Sequence, residues 1–238
     1  MTSQHAVIIG GSSGIGLATA RELLTRGFKT TIAGRDAQRL AAASKALGGE
    51  TVAVRADAAN ADSVRDLFAR TGKFDHLVLA LGSTKGVGPF TTVKLTDVRD
   101  GFEEKTLPQF ACAQASIPFL STNGSITFVA GLAAHAAMPG TAGIGAANAA
   151  IAALVPILAA ELRPLRVNGV SPGVIDTPWW DFLSKEQKAA TFAEYAAKTP
   201  VGRVGEPKDV ARAITFLIAE TFITGHTIIC DGGLLLAA

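Results

Sequence analysis

The chain has 238 residues and a mass of 24.4 kDa, which one α/β domain can fill without splitting. Apolar residues make up 48% and charged residues 18%, a composition that excludes an intrinsically disordered chain. The net charge of +2, with no cluster of lysine and arginine on one element, argues against nucleic acid as the main partner. Two distant cysteines, Cys112 and Cys230, argue against a disulfide framework or a metal site.

Short apolar, β-branched runs alternate with helical patterns through the first third of the chain. In chain order, the predicted elements are strand 5–9, helix 15–25, strand 30–33, helix 36–47, strand 51–54, helix 60–69 and strand 76–80. This alternation predicts parallel βαβ units. Such units wind right-handed and place helices on both faces of a parallel sheet.

The same alternation continues to the C-terminus. The predicted elements here are helix 98–120, strand 125–130, helix 142–162, strand 166–170, helix 207–219 and strand 227–230. A less regular, aromatic-rich segment lies between Val174 and Gly205. Because no repeat and no linker-like composition interrupts the pattern, we expect one domain over residues 1–238.

The stretch 106–160 contains no Asp, Glu, Lys or Arg, and such a run can indicate membrane-spanning helices. Prolines and glycines interrupt it, and its longest helical piece, about 142–160, is mostly alanine and glycine, which insert weakly. We therefore expect buried core and a subunit interface, with no membrane partner. The N-terminus shows no targeting pattern, which predicts a cytoplasmic protein.

A glycine-rich turn follows the first strand and opens the first helix. Its residues 10–16 read GGSSGIG. Glycines there let the backbone turn sharply and approach a pyrophosphate, and the helix N-terminus offers unpaired N–H groups to it. In this strand–turn–helix context the motif predicts a dinucleotide site. The alternative is a glycine-rich turn without a ligand.

The end of the second strand carries Arg35 where an acidic residue would hold the ribose 2′-hydroxyl of NAD. An arginine can instead pair with a 2′-phosphate, which favours NADP(H). Asp36 is predicted to cap the helix that begins there. The alternative for Arg35 is an ordinary solvated arginine.

Several motifs together resemble the short-chain dehydrogenase/reductase family. They are the glycine turn, Asp57 after the third strand, RVNGVSPGVIDTP at 166–178, PVGRVGEP at 200–207 and ITGHTIICDGG at 223–233. The resemblance spans the chain and implies a Rossmann-type, doubly wound, seven-stranded parallel sheet, with a substrate lid at about 176–199. The cofactor-binding residues implied by the motifs and the resemblance are Gly10, Ser12, Ser13, Gly14, Ile15, Gly16, Arg35, Asp57, Ala58, Gly82, Pro172, Gly173, Ile175 and Thr177.

The family's chemistry rests on a serine, a tyrosine, a lysine and an asparagine. Matching flanks put Gly131 at the serine position, Ile144 at the tyrosine, Asn148 at the lysine and Lys105 at the asparagine. The resemblance therefore predicts that the usual catalytic tetrad is absent. Composition agrees, because the only tyrosine is Tyr195, in the lid, and the helix that carries Ile144 contains no lysine.

Two functional hypotheses remain open. In the first, the protein is an NADP(H)-dependent oxidoreductase acting on an unidentified small molecule, with His135, Lys105 or Tyr195 as a substitute proton donor. Each of these side chains also has a purely structural interpretation. In the second, the protein is a catalytically inactive NADP-binding sensor, regulator or assembly protein.

The helix at 142–162 is apolar around most of its circumference, which predicts burial on all sides. In the family this helix and the preceding long one form a subunit interface. The sequence therefore predicts a homodimer or a homotetramer. Pro156 in the helix interior is expected to cost a hydrogen bond.

Overall fold

A computed structural model describes residues 3–237. The strands are, in chain order, β1 (His5–Ile9), β2 (Lys29–Gly34), β3 (Thr51–Arg55), β4 (Phe74–Leu79), β5 (Leu120–Val129), β6 (Arg166–Pro172) and β7 (Thr227–Cys230). They form one seven-stranded sheet in the order β3-β2-β1-β4-β5-β6-β7, and every neighbouring pair is parallel.

Helices connect the strands. In chain order they are α1 (Gly14–Thr25), α2 (Ala37–Leu47), α3 (Ala61–Thr71), α4 (Leu95–Gly101), α5 (Leu107–Ser116), α6 (Ala142–Glu161), α7 (Lys185–Lys198) and α8 (Pro207–Ala219). Side-chain caps begin two of them as the sequence suggests. Asp36 accepts from the Arg39 N–H at 2.9 Å, which confirms its predicted role as the N-cap of α2, and Asn60 caps α3 in the same way.

Two apolar cores lie on opposite faces of the sheet. Successive strand residues point to opposite faces, so Val7 and Ile9 enter one core while Ala6 and Ile8 enter the other. Helices α3, α5 and α6 cover the first core, and α1, α2 and α8 cover the second. Each large side chain buried there contributes roughly 1.5–3 kcal/mol. The predicted Rossmann-type, doubly wound parallel sheet is confirmed.

The long helix predicted at 98–120 is wrong in its middle and at its end. A π-helical turn, Phe102–Thr106, separates α4 from α5, and β5 already begins at Leu120 rather than Ser125. Pro108 at the start of α5 has no N–H to donate to the preceding turn, which accounts for irregular hydrogen bonding there. The wider turn changes which side chains face inward.

The predicted lid at about 176–199 is also more regular than the sequence suggested. It contains the 14-residue helix α7. A capping box begins this helix: the Ser184 hydroxyl accepts from the Gln187 N–H at 3.2 Å, and the Gln187 side chain accepts from the Ser184 N–H at 2.9 Å. That spacing was the signal that the aromatic composition obscured.

Helix α6 is long and apolar enough to cross a membrane by length and composition alone. In the structure one face packs on the sheet through Ile151, Val155 and Ala159. The opposite face is open in the single chain, and Ile157 is 57% exposed. Burial on all sides is therefore not achieved within one chain. The helix runs through Pro156 without ending there.

Candidate functional site

A cleft runs along the carboxyl-terminal edge of the sheet, where β1 has β2 on one side and β4 on the other. Ligands of open α/β sheets bind at such a switch in strand order. The cleft has two connected lobes. The β2 lobe, ≈ 440 Å³, is lined by Arg35, Asp57 and Ala58, and the lid lobe, ≈ 640 Å³, by residues that include Lys105 and Trp179.

The glycine turn forms the floor between the lobes. Gly10 has φ +83°, and a Cβ there would lie 2.5 Å from the Ala80 carbonyl oxygen. A Cβ on Gly16 would lie 2.3 Å from the Gly10 carbonyl oxygen, so neither position accepts a side chain. Ser13 precedes α1 but makes no side-chain capping bond. The first-turn N–H groups of α1 therefore remain available to an anion in the cleft.

Two arginines line the β2 lobe. Arg35 is joined there by Arg39, which the sequence interpretation missed. Arg39 lies one helical turn into α2, and its Nε is 3.0 Å from Asp36 Oδ2. Asp36 carries two roles, since it caps α2 and also holds Arg39 at the lobe. The signal was the Asp36–Arg39 spacing of three, which puts both on the first turn of one helix.

The structure brings nearly all predicted cofactor residues to this cleft. Asp57 and Ala58 line the β2 lobe, where Asp57 Oδ1 accepts from the Ala59 N–H at 3.1 Å. Gly16 alone lies outside the lining, packed against the Gly10 backbone. The predicted residues that line one or both lobes are Gly10, Ser12, Ser13, Gly14, Ile15, Arg35, Asp57, Ala58, Gly82, Pro172, Gly173, Ile175 and Thr177.

Lys105 lies on the π-helical turn and is only 7% exposed. Its Nζ donates to the Ala130 carbonyl at 2.7 Å and to Asn148 Oδ1 at 2.6 Å. Burial lowers the pKa of this amine to about 8. An ammonium has three N–H donors, and these two bonds leave one for a ligand in the lid lobe.

Gly131 and Asn148 complete the surroundings of that amine. The Asn148 Nδ2 donates to the Ile144 carbonyl at 2.9 Å, which turns its Oδ1 toward Lys105. A Cβ on Gly131 would lie 3.1 Å from both amide atoms of Asn148. The four tetrad positions therefore form one cluster in the lid lobe. Its cation comes from the asparagine position and its amide from the lysine position.

The lid closes the far side of the lid lobe. The Trp179 Nε1–H donates to the Ser83 carbonyl at 2.7 Å, which joins the lid to the loop after β4. Tyr195 lines the lobe and its ring lies 6.4 Å from that of Trp180. His135 does not line either lobe. Its Nε2 lies 2.9 Å from Ser171 Oγ and its side chain is exposed.

The donor set fits a phosphorylated dinucleotide. Uncapped N–H groups at α1 and two arginines suit phosphates, and the absence of side chains in the glycine turn leaves room for close approach. Among residues 3–237, no group of three His, Cys, Asp or Glu side chains is placed to hold a metal ion.

Comparisons with known proteins agree with this geometry. A family model described as enoyl-(acyl carrier protein) reductase matches residues 10–235. The 3-oxoacyl-[acyl-carrier-protein] reductase of Synechocystis sp. is 32% identical over 99% of this chain and 98% of its own length.

Two solved structures are similar over almost the whole chain. A small-chain dehydrogenase in complex with NADPH is 30% identical, with a TM-score of 0.86 over 98% of this chain and 99% of that chain. An NADPH-bound short chain oxidoreductase from Pseudomonas aeruginosa PAO1, described as containing an atypical catalytic center, is 31% identical, with a TM-score of 0.87 over 97% and 96%.

Proposed function

This chain belongs to the short-chain dehydrogenase/reductase family, and from that premise we propose that it is an NADP(H)-dependent oxidoreductase in which Lys105 serves as the proton donor. The substrate is a small carbonyl compound or the matching alcohol. One observation carries the proposal: a buried lysine amine, with one N–H unused, lines the lid lobe at the site of the missing tetrad.

NADP(H) is the cofactor. Arg35 and Arg39 line the β2 lobe and supply two cations for the 2′-phosphate, where an NAD enzyme would place a carboxylate. Relatives of nearly equal length bind NADPH. The first turn of α1 holds the pyrophosphate, and residues 172–177 border the lid lobe beside it.

Lys105 manages the proton. When bound, the reduced cofactor supplies a hydride to the carbonyl carbon of the substrate. The Lys105 ammonium gives one proton to the carbonyl oxygen, and the amine then regains a proton from water. Because its pKa is lowered to about 8, the group is mostly protonated at neutral pH and still acidic enough to act. Ala130 and Asn148 hold Nζ in position throughout.

The exchange between two helices keeps the site charged. The family places its lysine on the helix equivalent to α6, whereas here α6 supplies Asn148 and the π-helical turn supplies Lys105. Both side chains meet at the same point, so a cation remains there although its origin has moved. The Pseudomonas aeruginosa relative supports the idea that this fold tolerates an atypical catalytic center.

Replacement of Lys105 by methionine tests the proposal. We expect wild-type protein to bind NADPH and to oxidise it with members of a carbonyl panel. K105M should lower that rate by about 100-fold or more, since removal of a general acid typically costs 10²–10⁴-fold. The wild-type rate should fall as pH rises above about 8, where Lys105 loses its proton. Stopped-flow measurement of single-turnover NADPH oxidation gives both results.

Lys94→Met is the matched control, because Lys94 is an exposed lysine at the start of α4 and lines neither lobe. It should leave the rate and the pH profile unchanged. Full activity in K105M would contradict the role of Lys105. No NADPH binding at millimolar concentration would contradict the cofactor assignment as well.

A second candidate is a catalytically inactive NADP-binding sensor or regulator. Lys105 is the only ionisable side chain among the four tetrad positions, and this observation favours it. NADPH binding without oxidation by any carbonyl compound would support it over the enzyme. Both candidates keep a cytoplasmic location, without a nucleic-acid or membrane partner, in line with the small net charge and the packing of α6 on the sheet.

A further inference from the structure

We infer that the lid lobe takes a neutral carbonyl compound that carries a bulky apolar ring, an inference that rests on the proposed function and names its substrate class. The lid side chains that line the lobe include Trp179, Trp180, Phe182 and Tyr195. Their arrangement determines what a substrate would meet beyond its reacting carbonyl.

The two indoles present only their carbon surfaces to the lobe. The Trp179 Nε1–H donates to the Ser83 carbonyl at 2.7 Å, and the Trp180 Nε1–H donates to the Ile175 carbonyl at 3.0 Å. Neither N–H is left for a substrate. The lobe therefore has large aromatic walls without their usual polar handles.

Other polar side chains of the lobe are also turned toward the protein. The Ser83 hydroxyl donates to Glu104 Oε2 at 2.6 Å, and the Thr141 hydroxyl donates to the Met138 carbonyl at 2.8 Å. Thr84 and Tyr195 keep hydroxyls at the lobe, and neither is charged. A sugar or polyol would lose water contacts here without enough replacements.

The charges of the lobe also disfavour an anionic substrate. Lys105 already donates to two oxygen atoms, and its remaining proton is assigned to the carbonyl. Arg35 and Arg39 extend into the β2 lobe, where the cofactor phosphate takes them. Glu104 lines the lobe with the same sign as a carboxylate. A second carboxylate on the substrate would therefore stay unpaired.

Phe182 offers an open surface for a ring. It is 56% exposed although its ring packs edge-on against Trp179 at 5.4 Å and stacks near Trp180 at 6.1 Å. Aromatic groups prefer these offset and edge-to-face contacts, so an additional ring can extend the cluster.

A matched pair of ligands tests the substrate class. Cyclohexyl methyl ketone and 4-acetylcyclohexanecarboxylate share the acetyl group and the ring, and only the second is charged. Trp179 and Trp180 are the only tryptophans of the chain, so intrinsic fluorescence reports directly on the lid. Titrations use the protein with NADP⁺ held saturating. We expect the neutral ketone to bind at least ~10-fold more tightly, because the buried carboxylate lacks a partner.

Phe182→Ala should weaken binding of the neutral ketone by roughly 10-fold, the scale of one aromatic contact. Phe222→Ala is the control, since Phe222 is 100% exposed and lines neither lobe. It should bind the ketone as wild type does. Both positions are exposed, so neither variant removes core packing.

The outcomes separate this inference from the proposed function. Equal or tighter binding of the carboxylate, no binding of the ketone, or an unchanged affinity in F182A would overturn the substrate class. Oxidation of NADPH with the carboxylate alone would do so while the oxidoreductase proposal stands. Binding of the ketone without any NADPH oxidation would support the lobe chemistry and count against the oxidoreductase.

Discussion

Lys105 shows how much a single substitution depends on its neighbours. Read along the chain, Lys105 and Asn148 are two separate departures from a family pattern. In the structure their side chains are 2.6 Å apart, so the two changes form one polar contact. Gly131 belongs to the same change, because a side chain there would crowd the Asn148 amide. Restoring a serine at Gly131 alone would therefore disturb the position of the lysine.

His76 provides a residue-scale test of stability against pH. It is 2% exposed on β4, its Nδ1 lies 2.9 Å from Ser125 Oγ, and its Nε2 has no partner among residues 3–237. Burial lowers its pKa from 6.5 to about 4. Its neutral form therefore contributes stability that is complete above pH 6.5 and is lost as the pH falls toward 4.

We expect His76→Asn, which keeps a polar partner for Ser125 but does not titrate, to flatten that dependence. Between pH 8 and pH 5 the wild type should lose about 2 kcal/mol more unfolding free energy than H76N. Urea denaturation at both pH values measures the difference. His226→Asn, at an exposed histidine, should behave as wild type. Equal slopes in wild type and H76N would show that His76 does not carry the effect.

At the scale of elements, the lid helix differs from every core helix. No residue of α7 is fully buried, so its stability depends on its own hydrogen bonds and on its capping box. Helices α1, α2 and α8 instead bury apolar side chains against the sheet. A lid held this way can open without disturbing the Rossmann core.

Ser184→Ala should therefore loosen α7 selectively. Loss of an N-cap typically costs about 1 kcal/mol, which corresponds to roughly 5-fold faster amide hydrogen exchange in the helix. Exchange measured by mass spectrometry should rise in α7 and stay constant in the sheet. Ser44→Ala, within α2, should leave α7 exchange unchanged. Uniform acceleration throughout the chain in S184A would contradict a local effect.

At the scale of the whole molecule, the single chain leaves an apolar surface uncovered. Leu107 and Phe110 on α5 are 57% and 43% exposed, and Ile157 on α6 is 57% exposed. Both helices pack on the same face of the sheet. Exposed apolar side chains on neighbouring secondary elements commonly mark an interface between proteins. We therefore keep the prediction of a homodimer or homotetramer.

Light scattering at micromolar concentration should give a mass of two or four chains. Ala153→Arg places a charge on the exposed face of α6 and should shift the mass toward the monomer. Ala189→Arg, on the exposed helix α7, should not shift it. A monomeric wild type would remove the interface from the account.

The sequence by itself determined the fold and the cofactor side of the cleft. Period-2 apolar runs alternating with helical patterns specify a parallel sheet, and the glycine turn and Arg35 lie next to strand ends in sequence. Composition alone excluded a tyrosine from α6, because Tyr195 is the only one. These are local properties, and local physical chemistry determines them.

Only the tertiary structure decided what occupies the other lobe. Lys105 meets Asn148, and Trp179 meets Ser83, through contacts between positions 43 and 96 residues apart. The inward turn of Lys105 depends on a π-helical turn that hydrophobic periodicity did not predict. Which distant side chains share a buried space is set by how helices pack on the sheet, and that packing is not encoded in any one segment.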